Sequence, residues 1–277
     1  MLTCWGLEEC THRRGSGRPG LRLATALLVF LAGPVAAPAQ TLLPPAEQYT
    51  LRFEYLWWSP SPSGQIQRGL GDFEGTVLDL EEDLAIEKGK ANSMRGAVRL
   101  GGAWKLLGAW TSLDFSGDTF AERPFLYGTL VARFGDQIVT SLKGNLISAD
   151  LEWDFAQGEW GFFGGLAGVR FFDVDSVMVN VATADRVAET ERLPIPVLGL
   201  TGRAYLGEWV SLEGELAGIT AGSRGHLWEW FAALRVHATE NLAATTGYRS
   251  LSVDGRDDRD SFTLKLNTWT FGIELSL

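Results

Sequence analysis

SFTLKLNTWTFGIELSL, residues 261–277, carries two apolar rows on a single extended stretch. From Trp269 onward, one side holds Trp269, Phe271, Ile273, Leu275 and Leu277, and the other Thr268, Thr270, Gly272, Glu274 and Ser276. That is a strict period of two, the alternation of a strand with one face buried. A row this continuous needs a large apolar surrounding, either a soluble core or lipid. Upstream, Phe262, Leu264 and Leu266 lie on the opposite parity. Either a bulge sits near Asn267, or the strand projects beyond its apolar surrounding there.

The same alternation recurs along the chain. YTLRFEYLWW places Leu51, Phe53, Tyr55 and Trp57 opposite Thr50, Arg52 and Glu54. SMRGAVRLGGAW sets Met94, Val98, Leu100 and Trp104 against Arg95, Ala97, Arg99 and Ala103. LISADLEWDF gives the cleanest case, with Ile147, Ala149, Leu151, Trp153 and Phe155 against Ser148, Asp150, Glu152 and Asp154. Further strands are read in WGFFGGLAGVRFF, PVLGLTGRAYL, WVSLEGELAG, HLWEWFAALRVHA and LAATTGYRSLSV. This predicts an all-β chain of about ten strands, with eight or twelve as alternatives. The segment TVLDLEEDLAI within the 59–92 connection reads as an extra strand, a short helical turn or a loop. With 33 Gly and 11 Trp, composition also favours strands and tight turns over helices.

The first 39 residues read as a secretory signal peptide. Arg13, Arg14, Arg18 and Arg22 flank or precede the apolar run LATALLVFLAGPVAA, and Ala37-Pro38-Ala39 is a small-residue cleavage site. The apolar run is interrupted by Gly33 and Pro34 and falls short of the roughly 20 residues that a spanning helix needs. Residues 40–277 would then form a single domain. The only cysteines, Cys4 and Cys10, lie in the segment expected to be removed, so disulfide and thiol chemistry are not expected afterwards. The whole chain has a net charge of −10, and loss of the leader would leave 20 basic and 32 acidic residues. Such an acidic chain is not expected to bind nucleic acid.

Connections alternate between short and long. Short turns fall near Lys105, Gly158, Gly207 and Glu240, and longer ones cover 59–92, 118–137, 181–193, 220–225 and 254–260. One end of the sheet thus has tight turns and the other loops, the asymmetry of a transmembrane barrel with short periplasmic turns and longer extracellular loops. In a soluble barrel the charges would face water and the aromatics fill the centre; in a membrane barrel this inverts. Two observations favour inversion. Trp57, Trp104, Trp153, Trp160, Trp209, Trp228, Trp230 and Trp269 read as aromatic girdles near strand ends. The opposite face mixes both charges: Arg52, Glu54, Arg95, Arg99, Asp114, Asp150, Glu152, Asp154, Arg170, Arg203, Glu213, Glu215, Glu229 and Arg235. A narrow lumen could pair these, whereas burial of either sign alone would be costly.

On these residues the chain resembles the small outer-membrane β-barrel proteins of Gram-negative bacteria over essentially all of 40–277. The most specific part is WTFGIELSL. The resemblance implies that Trp269, Phe271, Ile273, Leu275 and Leu277 form the signal recognised by the outer-membrane assembly machinery, with Leu277 departing from the usual terminal Phe or Trp. It also implies location in the outer membrane, surrounded by membrane lipid and lipopolysaccharide, and a monomer. The family is defined by architecture rather than by a chemical motif.

Catalytic residues are sparse. His12 lies in the leader, His226 adjoins a Gly-rich turn, and His237 sits on a polar face; neither of the last two is followed two residues later by serine. No catalytic site is expected. LDLEEDL and DGRDDRD cluster carboxylates, but neither matches a calcium-binding loop, and both read as solvated charge runs. No metal and no cofactor are expected. The function expected is structural or that of a narrow passive pore. A lipid- or peptide-hydrolysing barrel enzyme, or a soluble periplasmic barrel holding an apolar ligand, are the alternatives.

Overall fold

The structure, a computed structural model, describes residues 44, 47–257 and 259–277; the segment read as a signal peptide lies outside them. The strands in chain order are β1 (Leu51–Trp58), β2 (Ser61–Gln67), β3 (Leu78–Asp79), β4 (Lys90–Gly101), β5 (Trp104–Phe120), β6 (Phe125–Tyr127), β7 (Leu130–Ala132), β8 (Gln137–Gly158), β9 (Gly161–Asn180), β10 (Arg186–Tyr205), β11 (Val210–Thr220), β12 (Gly225–His237), β13 (Leu242–Asp257) and β14 (Asp260–Ser276). Ten of them, β1, β4, β5 and β8 to β14, pair in sequence order with antiparallel neighbours, and β1 pairs with β14. The sheet is therefore a closed barrel with no edge at its seam. Thr50 and Leu51 both donate to the Leu277 carbonyl, at 2.7 and 3.0 Å, so the first and last strands meet at the short-turn end.

The faces are inverted over the lower half of the barrel. Phe53, Trp57, Leu106, Leu151, Phe171, Leu200, Leu212, Trp230, Phe271 and Ile273 are exposed on the outside, while Arg52, Glu54, Asp150, Arg170, Arg203, Arg235 and Glu274 are buried inside. Charges inside and large apolar side chains outside are the arrangement of a membrane-spanning barrel of the outer-membrane type. It is not that of a soluble barrel.

Above this band the polarity reverses along the same strands. On β14, Leu264 and Leu266 point inward and are buried, while Lys265 and Asn267 face out. Three residues later Thr270 and Glu274 point inward, and Trp269 and Phe271 face out. β5 does the same, with Leu113 and Phe115 inside and Asp114 and Ser116 outside. No bulge is involved: the β13–β14 register runs unbroken from Leu242↔Leu275 to Asp257↔Asp260. The side-chain parity is constant and the solvent changes from lipid to water, so the apolar side chains switch face. The upper half is thus a water-exposed barrel of ordinary polarity, filled by Leu78, Leu80, Leu84, Phe115, Ile138, Leu227, Leu251 and Leu266 among others.

This reversal corrects several expected loop boundaries. The connections expected over 118–137, 181–193 and 254–260 are shorter, because β5 continues to Phe120, β10 begins at Arg186 and only 258–259 separate β13 from β14. Apart from Phe120 and Ala188, these strand tops carry mainly polar residues outward and mixed residues inward, so they lack the lipid-facing row that marks the lower strands.

Within 59–89, β2 continues the line of β1 along β14, pairing Ser61–Gln67 with Asn267–Ser261. The LDLEEDL segment is both a strand and a turn: β3 bonds to β2, and the amides of Asp83 and Leu84 then donate to the Asp79 carbonyl. Its leucines point into the barrel, while Glu81 and Glu82 are exposed. The β6–β7 hairpin folds over the same opening, with Phe125, Leu130 and Ala132 buried.

Candidate functional site

Among the described residues, charged groups converge in the lower lumen. Nine carboxylates, Glu47, Glu54, Asp150, Glu152, Asp154, Glu213, Glu215, Glu229 and Glu274, meet eight cations, Arg52, Arg95, Arg99, Lys105, Arg170, Arg203, Arg235 and Arg249. Strand register supplies the first contacts: Glu54 lies opposite Arg95, Lys105 opposite Glu152, and Arg203 opposite Glu213. The narrow lumen supplies the rest, by bringing non-neighbouring strands into contact.

Arg203 on β10 reaches Glu274 on β14 with both terminal nitrogens, at 3.0 and 2.8 Å. Such forked pairs fix orientation as well as charge. Arg235 holds Glu54 at 2.6 Å, Glu213 at 2.5 Å and Glu274 at 2.9 Å. Arg170 bridges Asp150 at 2.6 Å and Glu229 at 3.1 Å. A Cβ on Gly168 would collide with the Asp150 carboxylate, so glycine there keeps this pair in place. Lys105 sits between Glu152 at 2.7 Å and Asp154 at 2.8 Å, with its ammonium 3.3 Å from the Phe162 ring centre. Isolated charges in so dry a place would be strongly unfavourable, and mutual pairing is what makes their burial tolerable.

The lumen is blocked at both ends. From the short-turn side Glu47 enters it, fully buried, accepting from Arg52 at 2.8 Å and from the Tyr205 hydroxyl at 3.0 Å, while the Tyr49 ring lies 3.8 Å from the Arg52 guanidinium. From the other side the apolar plug of β3, its following turn and the β6–β7 hairpin closes the passage. The space left among the charges is about 70 Å³, room for a few water molecules.

Of the residues expected to line the lumen, thirteen point into it. Asp114 is the exception. It faces outward on β5 above the lipid band, with its carboxylate 3.9 Å from Lys143 on β8 and both side chains more than 60% exposed. The apolar parity of β5 switches at this height, which reverses the face inferred from the sequence. Sequence reasoning missed Glu47, Lys105, Arg249 and Glu274. The last three lie on the inward parity of their strands, so the period of two could have found them. Glu47 lies in the Pro-containing segment just before β1, which carries no periodic signal.

All eight tryptophans expected in girdles are exposed on the outside. Trp104 and Trp153 stack near the short-turn end, with ring centres 5.9 Å apart. Trp230, Tyr248 and Trp269 form a row at the opposite border, at 5.3 and 5.5 Å. Trp110, not anticipated, joins this border and donates to Asn145 at 3.1 Å. Directly above runs an outward polar belt in which the Tyr55 hydroxyl donates to Asn92 and Arg192 pairs with Asp173.

Ser211 and His237 are hydrogen-bonded at 2.9 Å between Oγ and Nε2, with the imidazole stacked on Tyr205. The pair crosses from β11 to β12, so spacing along one strand could not reveal it. Both residues are buried in the wall, and neither lines the residual chamber.

No known family profile matches the sequence, and no curated protein matches it. Among solved structures the chain is similar to the outer-membrane protease OmpT from Escherichia coli (11% identity, 82% of this chain and 96% of that one, TM-score 0.48). It is also similar to the translocator domain of the autotransporter NalP from Neisseria meningitidis (11%, 82% and 88%, TM-score 0.49). A third is Ail, the attachment invasion locus protein of Yersinia pestis (10%, 83% and 100%, TM-score 0.35). Strand closure and the charged inner face identify the chain as a membrane-type barrel independently of these similarities.

Proposed function

We propose that this protein is a structural, non-conducting β-barrel of the Gram-negative outer membrane, which holds a water-exposed upper barrel above the lipid. The observation that carries this reading is the double closure of the lumen, by ion-paired side chains below and an apolar plug above. A passive pore needs a continuous wet path, and a chamber of about 70 Å³ between two closures does not provide one. Nor does the Ser211–His237 pair favour hydrolysis, because a substrate carbonyl has no space beside the buried hydroxyl.

Reconstitution in planar lipid bilayers tests this reading. Silence under applied voltage is expected across protein concentrations, and reproducible single-channel steps would overturn it.

A further inference from the structure

The wall of the upper barrel is uneven. β10 pairs with β9 from Arg186 to Ala204, but with β11 only from Leu198 downward. The β11–β12 hairpin turns back at residues 221–224. On the β11 side, β10 therefore has no neighbouring strand above Pro196.

The hydrogen-bond phase shows which groups this leaves open. Asn180 N–H donates to the Asp185 carbonyl, Tyr205 N–H to Trp160, and Leu206 N–H to Val210. In an antiparallel pair these bonds alternate, so odd-numbered residues of β10 bond to β9 and even-numbered ones face β11. The N–H and C=O groups of Arg186, Ala188, Thr190 and Arg192 point into the notch, and among the described residues none of those amides donates a hydrogen bond. Pro194 and Pro196 occupy the next two positions of the same phase. Lacking an N–H, they end the open ladder at the border of the lipid band.

We propose that this edge, Arg186–Arg192, accepts an extended segment of another protein as an added antiparallel or parallel strand. The edge is about 20 Å long, enough for roughly six residues of partner. Main-chain bonds would supply affinity, and alternate side chains selectivity. A recess of about 350 Å³ opens beside it, bounded by Arg68, Leu70, Gly128, Val187 and Glu189. Arg68 and Glu189 are ion-paired there.

A second copy of this chain is a poor occupant. Two barrels in one membrane share its normal, so their β10 strands would meet running the same way, setting Arg186, Glu189 and Arg192 beside their own like charges. The complementary partner has alternating chemistry. Its outward residues are acidic beside Arg186, which no carboxylate holds among the described residues, and polar beside Arg192, which Asp173 already holds; its inward residues, beside Val187, Leu193 and the recess, are apolar.

The probe is a synthetic heptapeptide alternating Glu and Val, added to the folded protein in detergent micelles, with amide hydrogen exchange as readout. Exchange at Ala188 and Thr190 should slow about tenfold or more, while Val187 and Glu189, already bonded to β9, stay unchanged. Ala188→Pro removes an N–H that the barrel does not use, so binding should be lost with heat-modifiable gel migration retained. A peptide N-methylated on alternate amides should fail to protect the unmodified protein, which keeps the test decisive if Ala188→Pro does not fold. The proposal is overturned by absent protection, by equal protection from a Lys-Val peptide, or by protection that rises with protein concentration alone.

Discussion

Leu266 and Trp269 stand three residues apart on one uninterrupted strand, yet face opposite sides of the wall, each in apolar company. Leu266 is fully buried inside the upper barrel, whereas Trp269 is 62% exposed on the outside. Since β14 keeps its register with β13 throughout, the boundary between water and lipid falls between them.

This boundary predicts opposite tolerances to charge at adjacent positions. Leu266→Asp places a carboxylate in a closed apolar core and should destabilise the barrel by about 3–5 kcal/mol. Lys265→Asp, outward in the watery region, should change stability by less than about 0.5 kcal/mol. Urea unfolding followed by loss of heat-modifiable migration compares the two.

The lumen network should respond to single and paired changes differently. Glu274→Gln leaves Arg203 and Arg235 short of a carboxylate they both contact, a loss of about 3–5 kcal/mol for a broken buried pair. Replacing Arg203 by Met in the same chain should cost less than the sum of the two single changes, because the Arg203–Glu274 pair can be lost only once. A double-mutant cycle measures the coupling, and strict additivity would argue against a shared network.

Acid should loosen the plug at its anchor. Burial pushes the Asp83 carboxyl up, but the Arg123 side chain and the Asp79 amide more than offset this and hold it below the usual carboxylate range. A group with a lowered folded-state pKa stabilises above its ordinary value and loses that contribution as pH falls through the lowered one. The protection factor of the Leu84 amide, its exchange rate referred to that of an unstructured amide at the same pH, should therefore fall on acidification. Asp83→Asn should flatten that dependence.

For biogenesis we propose that the alternating C-terminal row is read by the assembly machinery. Leu277→Asp should then reduce the yield of folded protein in the outer membrane severalfold. Asp72→Asn, in an exposed external connection, should leave it unchanged. Equal yields, measured on purified outer membranes, would count against this role.

The sequence revealed the barrel best where strands cross lipid. There the period of two is strict, because one face meets hydrocarbon and the other a lumen crowded with charge, as at Ile147–Phe155 and Trp269–Leu277. It was least informative above the lipid, where β10 begins in RVAETERL and reads as a loop. On β14 the reversed parity of Phe262, Leu264 and Leu266 becomes intelligible once the outside is water. Among the lumen residues, Asp114 was misplaced for that reason, and Glu47 was invisible because it enters from a segment with no periodic pattern. The closure of the lumen depends on contacts such as Arg203–Glu274, between strands far apart in sequence, which no local spacing announces.

The polarity switch is tested most directly by single cysteines along β14, introduced into a chain whose only cysteines are Cys4 and Cys10. With the protein in lipid vesicles, a membrane-impermeant maleimide should label Thr263→Cys and Lys265→Cys readily and Phe271→Cys and Ile273→Cys hardly at all, with the break between Asn267 and Trp269. Uniform labelling from residue 263 to residue 273 would rule out a lipid boundary between Leu266 and Trp269.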